Sequence, residues 1–198
     1  MIIESAQGSQ VTLRAVTAED RERFVELARM SADLHHPWVV TPCTPGGFSA
    51  YLARVDGGTA VGMVVCLKDC ADLVGTISIS GIVRDPYHRG VLGYAAFLPY
   101  AGRGYMSEGV ALAVRYAFDQ LDLHRVEADI QPGNTASLKL VRRLGFRKEG
   151  VSPGFIKIGG VWRDHERWAI TREMRLPRVP HQQPGCPPES DGVHVIGS

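Results

Sequence analysis

The sequence predicts an α/β (α+β) domain, and three observations predict it. Tyr100–Leu121, YAGRGYMSEGVALAVRYAFDQL, comes after an apolar run of strand formers at Val91–Leu98 and reads as strand, glycine turn, helix. Upstream, Ala60–Leu67, Leu73–Val83 and Val91–Leu98 are consecutive β segments with turn residues between them, most simply an antiparallel meander. Downstream, strand Arg125–Ile130 leads into a short helix and two further strands.

Taken in order, Val11–Val16 reads as a first strand. Thr17 caps a helix that carries Glu19 and Asp20 in its first turn, with Phe24, Leu27, Ala28 and Leu34 as its apolar face. His35-His36-Pro37-Trp38 ends it, and Pro42 and Pro45 keep the next segment irregular. Phe48–Val55 is a second, short helix, and Asp56-Gly57-Gly58 turns into the first strand of the meander. Within Gly75–Ser80 the alternation puts Ile77 and Ile79 on one face and hydroxyls on the other. In the central helix Met106, Val110, Val114, Phe118 and Leu121 recur at helical spacing and mark a buried face. Arg125–Ile130, a helix at Ala136–Leu144, and strands around Phe146–Val151 and Arg167–Thr171 complete the order β-α-α-β-β-β-α-β-α-β-β. Residues 1–176 form one domain. The last 22 residues hold five prolines and few apolar side chains, so 177–198 reads as a flexible tail.

Composition narrows the function. With 198 residues, 44% apolar and 22% charged, the chain has the profile of a globular domain, and a net charge of +1 offers no nucleic-acid surface. No apolar run approaches the ~20 residues that span a bilayer, and the N-terminus lacks a signal peptide's basic region and apolar core, so a cytoplasmic protein is expected. Cys43, Cys66, Cys70 and Cys186 lack the spacing of a zinc site or a disulfide framework, and no metal is expected.

The chemistry concentrates at Gly102-Arg103-Gly104. Glycines at a strand–helix junction leave N–H groups uncovered, and the first N–H groups of a helix have no internal partner, so together they receive phosphate oxygens. Arg103 adds a fixed positive charge, and Glu108 is expected to point away. Downstream stand Asn134-Thr135-Ala136-Ser137 and Leu144-Gly145-Phe146.

With these residues the chain resembles the GNAT superfamily of acyl-CoA N-acyltransferases, whose fold has a mixed, mostly antiparallel twisted sheet flanked by helices. Within it, the chain resembles the ribosomal-protein-alanine N-acetyltransferases of the RimJ/RimL type, RimJ in particular. Pro37-Trp38, Ile82-Val83-Arg84, Leu92-Gly93-Tyr94, His124-Arg125, Asn134 with Ser137, Arg143–Phe146, Lys148-Glu149-Gly150 and Gly160-Val161-Trp162-Arg163-Asp164-His165 carry that likeness. It implies acetyl-CoA as cosubstrate, direct transfer to an amine, and a protein N-terminus as acceptor, in the best-known case on a ribosomal protein. Charge and hydropathy predict no direct nucleic-acid or membrane contact, and a monomer or homodimer is expected.

The resemblance places the pantetheine arm between Val91–Leu98 and Arg125–Ile130, paired with the backbone of Phe97 and Leu98. Gly102, Arg103, Gly104, Met106 and Ser107 would bind the pyrophosphate. Asn134 would hold an amide of the arm, or simply cap its helix. Ser137 would protonate the leaving sulfur. Tyr94 is a candidate to bond substrate or take part in catalysis, and Trp38 and His165 are candidates for the acceptor wall. Two positions depart from the superfamily's turn, Ala101 at its first place and Met106 at its last. The glutamate used as base in RimL-type enzymes aligns with Ile156, which leaves His165 and Glu127 as weaker candidates. His35 and His36 read as helix-end charges, and Lys139, Arg142 and Arg143 mostly as a solvated helix face from which one could reach the adenosine phosphate. An α-amine titrates near 7.7–8.0 against about 10.4 for lysine, which favours an N-terminal acceptor where no strong base exists. Two other readings remain: a small-molecule amine such as an antibiotic or polyamine as acceptor, and an acyl-CoA sensor without turnover.

Overall fold

The computed structural model describes residues 6–56 and 58–174. Gly57 of the expected turn, the boundary at 176 and the proline-rich segment 177–198 lie outside the described residues. Among these the order is β1 (Ala6–Gln7), β2 (Val11–Ala15), a 3-10 turn at Ala18–Asp20, α1 (Arg21–Met30), α2 (Ala32–His35), α3 (Pro45–Val55), β3 (Val61–Leu67), β4 (Leu73–Val83) and β5 (Arg89–Ala96). Then come α4 (Tyr105–Asp119), β6 (Arg125–Ile130), α5 (Thr135–Arg143), β7 (Arg147–Ile158) and β8 (Val161–Thr171).

The eight strands form one sheet in the order β1-β2-β3-β4-β5-β6-β8-β7. Every neighbouring pair is antiparallel except β5–β6, because a parallel neighbour needs a crossover and α4 supplies it. The parallel ladder is short. It joins Arg89 to Arg125, Gly90 to Val126 and Val91 to Glu127, and then the strands part.

Helices α4 and α5 cover one face of the sheet, over Leu13, Met63, Ile77, Ile79 and Leu92. Helices α1 and α3 cover the other, over Val64, Cys66, Leu73 and Phe97. Strand β3 is buried along its whole length because both layers meet on it. Helix α4 is more deeply enclosed than the predicted single face: its residues are buried from Tyr105 through Val114 and again from Tyr116 to Phe118. Small residues allow this approach, since a Cβ at Gly109 would stand 2.7 Å from Val65 Cγ2.

The first predicted helix is broken at Ser31. The buried Ser31 hydroxyl donates to Leu27 C=O at 2.6 Å and accepts the Leu98 N–H at 3.0 Å, which ends α1 and ties it to the chain after β5. Leu34, expected in the apolar face of that helix, is instead 41% exposed. The predicted last two strands are also longer than expected, forming a hairpin from Arg147 to Thr171.

Candidate functional site

A cleft of about 360 Å³ opens where β5 and β6 part. Its walls are the segment after α1 (Leu34, His35, Trp38, Val39), the end of β5 (Tyr94, Ala95, Ala96), the glycine turn, Met106 and Ser107 of α4, and Asn134, Ser137, Lys139, Leu140 and Arg143 at α5.

Gly102 and Gly104 have φ of +80° and +86°, backbone that side chains with a Cβ rarely adopt, and Gly104 is the N-cap of α4. No backbone acceptor among the described residues takes the N–H of Gly102, Gly104 or Met106. Ser107 differs from the sequence expectation: its N–H donates to Gly104 C=O at 2.9 Å, which closes the first helical turn. Its hydroxyl accepts from Arg143 Nη1 at 3.4 Å. Ser107 therefore lines the cleft without a free amide. Arg103 is exposed and is not a wall residue, whereas Lys139 and Arg143 are. Glu108 does point away, accepting from the Ser9 N–H and hydroxyl and from Gln10 at the start of β2. Met106 Sδ fills the space above Gly75, where a Cβ would need to stand.

Phe97 and Leu98 are corrections. Phe97 is fully buried, its N–H donates to Val74 C=O at 2.8 Å, and its C=O accepts from Tyr100 N–H at 2.9 Å. The Leu98 N–H is held by Ser31. Neither residue lines the cleft. In a strand, successive backbone groups point to opposite sides, so with Phe97 bonded toward β4, Ala96 and Tyr94 face the gap. The free edge lies one and three residues earlier than the sequence suggests.

His35, a helix-end charge by its place in the sequence, is in fact a buried wall of the cleft, 5% exposed. Its Nε2 donates to Ala96 C=O at 2.7 Å, and its Nδ1 is 2.9 Å from Thr41 Oγ1. Burial lowers its pKa, so the neutral ring with hydrogen on Nε2 prevails, and Nδ1 accepts from the threonine. Trp38 lies over Gly133, whose Cβ would be 3.1 Å from Cη2. Gln131 Nε2 donates to the backbone carbonyls of Pro37 and Trp38 at 3.1 and 3.2 Å, and so holds this loop over the gap.

Asn134 caps α5, its Oδ1 accepting the Ser137 N–H at 3.1 Å, while it also lines the cleft. The Tyr94 hydroxyl donates to Ser137 C=O at 3.4 Å. Burial pushes the Tyr94 phenol up to about 12, so at neutral pH it holds its proton and acts as a donor. Tyr94 and Ser137 thus meet on the wall between β5 and α5.

His165, expected at the acceptor wall, is elsewhere. It is 3% exposed, its Nδ1 lies 3.0 Å from Arg163 C=O, and its ring meets Phe155 edge-on. Glu127 is no free base, because Arg125 Nε, Arg89 Nη1 and Arg167 Nη2 approach its carboxylate at 2.7, 3.0 and 3.5 Å. Ile156 pairs with Arg163 across the hairpin and does not line the cleft. Among the described residues no cluster of side chains forms a metal site, no helix is long and apolar enough to cross a membrane, and Cys43 and Cys66 are free thiols. Cys186 lies outside the described residues.

A parallel pair that splays, with a glycine turn at its mouth and a capped helix beyond, defines a fold that recurs among acyl-group transferases. Residues 10–147 match the family described as Acetyltransferase (GNAT) domain. The chain belongs to that family, has its fold, and is an N-acetyltransferase. It is 30% identical over 170 residues to the [Ribosomal protein uS5]-alanine N-acetyltransferase of Escherichia coli, covering 82% of this chain and 88% of that one. It is 42% identical over 98 residues to the probable N-acetyltransferase YjcK of Bacillus subtilis; that match spans 50% of this chain and about half (54%) of the relative. Mycobacterium smegmatis RimJ in complex with CoA-disulfide has the same fold, with a TM-score of 0.75 at 24% identity over 82% of each chain.

Proposed function

We propose that the cleft holds acetyl-CoA and that the acceptor is the α-amine of a protein N-terminus, a ribosomal protein being the leading candidate. The observation that carries this reading is the fork. Past Val91 strand β5 is no longer laddered to β6, with only the Ala96 carbonyl taken by His35, and that edge leads to a turn whose amides at Gly102, Gly104 and Met106 meet no backbone acceptor among the described residues. An extended arm ending in a diphosphate has complementary groups in the same order: amides for the strand edge and phosphate oxygens for the turn. Lys139 and Arg143 on the wall, with Arg103 on the turn, supply positive charge. Asn134 keeps its amide nitrogen for an amide oxygen of the arm while its oxygen caps α5.

Bound acetyl-CoA supplies an activated thioester, so no covalent enzyme intermediate is needed. The chain's own part is to orient the carbonyl, admit a neutral amine and return a proton to the departing sulfur. Ser137 and Tyr94, adjacent on the wall beside α5, are the leading candidates to supply that proton.

Two facts favour an N-terminal acceptor. The relative that matches most of this chain at 30% identity is named for a protein alanine acceptor. Among the described residues no carboxylate and no unengaged imidazole lines the cleft, and an amine titrating near 7.7–8.0 is partly neutral without a base. A cytoplasmic location, where ribosomes are found, belongs to the same proposal.

Thiol release with acetyl-CoA and peptides that begin with Ala or Ser, compared with the same peptides blocked at the N-terminus but bearing Lys, tests the reading. Mass spectrometry is expected to show one acetyl group on the free α-amine and none on the blocked peptides. Acetylation confined to small-molecule amines overturns the protein acceptor. Coenzyme A binding without thiol release across peptides and amines reduces the site to a sensor.

A further inference from the structure

The segment from Leu34 to Val40 has a cavity on each side. One is the cleft. The other, of about 240 Å³, lies between α1, the start of α2, the chain from His36 to Cys43 and the tip of the β7–β8 hairpin. His35 and Val39 line both, so at those two residues the partition is one side chain thick.

Much of the second cavity is apolar, with Ala28, Ala32, Val40 and Ile158 among its walls. Its charge is of one sign. Arg163 and His36 line it, and no carboxylate does; Asp33 of α2 and Asp164 beside Arg163 are not wall residues. Asp164 instead accepts the Gly154 N–H at 2.7 Å. Arg29 adds a second guanidinium at the rim, its Nε donating to the carbonyl of the wall residue Cys43 at 2.7 Å.

Arg163 differs from the other arginines of this half of the sheet. Arg89, Arg125, Arg147 and Arg167 each hold a carboxylate. The Arg163 backbone is fixed, paired opposite Ile156 and with its carbonyl 3.0 Å from His165 Nδ1. Its guanidinium has no hydrogen bond or ion pair to any described residue. A guanidinium presents five donors in a rigid fork that matches a carboxylate. Held at the wall of an apolar cavity with no acid to neutralise it, that fork is complementary to a carboxylate on a short apolar stem.

We propose that this cavity takes an acidic side chain of the acceptor, Asp or Glu, a few residues after the α-amine, and that Arg163 selects it. The inference rests on the cleft being the acetyl-CoA site and on the acceptor being a peptide N-terminus. An extended chain advances about 3.5 Å per residue, so with the amine in the cleft the second to fourth residues of the acceptor pass the partition at His35 and Val39. The same charge works against the other class of acceptor. A polyamine with one nitrogen in the cleft brings a further ammonium toward Arg163 and Arg29 and meets like charge there.

The test uses peptides that begin with Ala and carry Glu, Gln or Arg at position 2, 3 or 4, all other positions uncharged, with spermidine as the small amine. Thiol release gives kcat and KM for the wild type, Arg163→Ala, Arg163→Lys and Arg163→Glu, and calorimetry gives coenzyme A affinity for each. At one or more of the three positions the wild type is expected to favour Glu over Gln by about tenfold in kcat/KM, and over Arg by more, with the difference in the peptide KM. Arg163→Ala should abolish the preference and Arg163→Lys should keep part of it. Arg163→Glu should invert it and raise the rate with spermidine. Coenzyme A affinity should stay within about twofold throughout, which separates acceptor selection from a general loss of structure. Wild-type kcat/KM values that agree within about twofold for Glu, Gln and Arg at all three positions overturn the proposal, as does a Glu preference that survives Arg163→Glu. Failure of the acceptor reading shows differently, as transfer to spermidine with none to any peptide, and takes this inference with it.

Discussion

Strands β5 and β6 meet two different environments along one line of contact. Where they pair, from Arg89 to Val91, the carboxylate between them is surrounded by Arg89, Arg125 and Arg167, and Arg125 also binds Glu149. Where they part, the side chains are small or singly engaged: Gly93, Ala95, Ala96, and Asp129 paired with Arg167 alone. The paired half saturates its polar groups and holds the sheet together. The parted half leaves capacity unused, and that capacity is what an incoming molecule can fill. The same two strands thus divide into a joint and a socket, and the boundary falls within two residues.

Substitutions on either side of that boundary should separate stability from function. The largest effect is expected from Glu127→Gln, which leaves three arginines around a neutral amide; denaturant melts should show a loss of about 3 kcal/mol. The folded fraction should still bind coenzyme A normally, and a variant as stable as the wild type would remove the joint from the comparison. Next comes Gly104→Val, which forces a β-branched residue to φ +86° at the mouth of the socket. Its affinity for coenzyme A, read by calorimetry, should fall by about a hundredfold. Ser137→Ala is expected to lower kcat by about tenfold with coenzyme A affinity kept, since the Tyr94 hydroxyl stands beside it. Unchanged kcat would assign the donor role to Tyr94 alone.

The smallest effect is expected at His35. Burial lowers its pKa in the folded protein, so the unfolded chain takes up a proton more readily as pH falls below about 6.5. Stability contributed by the neutral ring is present above that pH and lost below it. His35→Gln should therefore flatten the fall in melting temperature from pH 6.5 downward, by no more than about 1.4 kcal/mol per pH unit. Parallel curves for the two proteins would mean that another group titrates.

The strands and the glycine turn are legible in the sequence, the joint's arginine cluster around Glu127 is not, and the socket is legible only in part. Strand β4 has the predicted limits, Leu73–Val83, because its alternation sorts Ile77 and Ile79 from Thr76 and Ser78 without ambiguity. The strand–turn–helix around Gly104 is equally plain, since glycine and helical spacing are local signals. The free strand edge is predicted too late because pairing direction depends on the Phe97 bond to Val74, a contact between strands that periodicity does not encode. His35 is misassigned for a related reason: the helix end it occupies is visible in sequence, while the carbonyl it binds lies 61 residues away. The full length of the β7–β8 hairpin is hidden because much of it is exposed and breaks register at Ser152–Ile156, so no apolar alternation marks it.

Gln131 grips the Pro37–Trp38 segment through main-chain oxygens rather than through side chains. Main-chain oxygens are common to all twenty amino acids, so a tether of this kind tolerates rewriting of the segment it restrains. Randomised libraries at Trp38, Val39 and Val40 can accordingly explore new acceptors with the canopy still fastened, whereas replacing Gln131 itself would release it whatever sequence it carries.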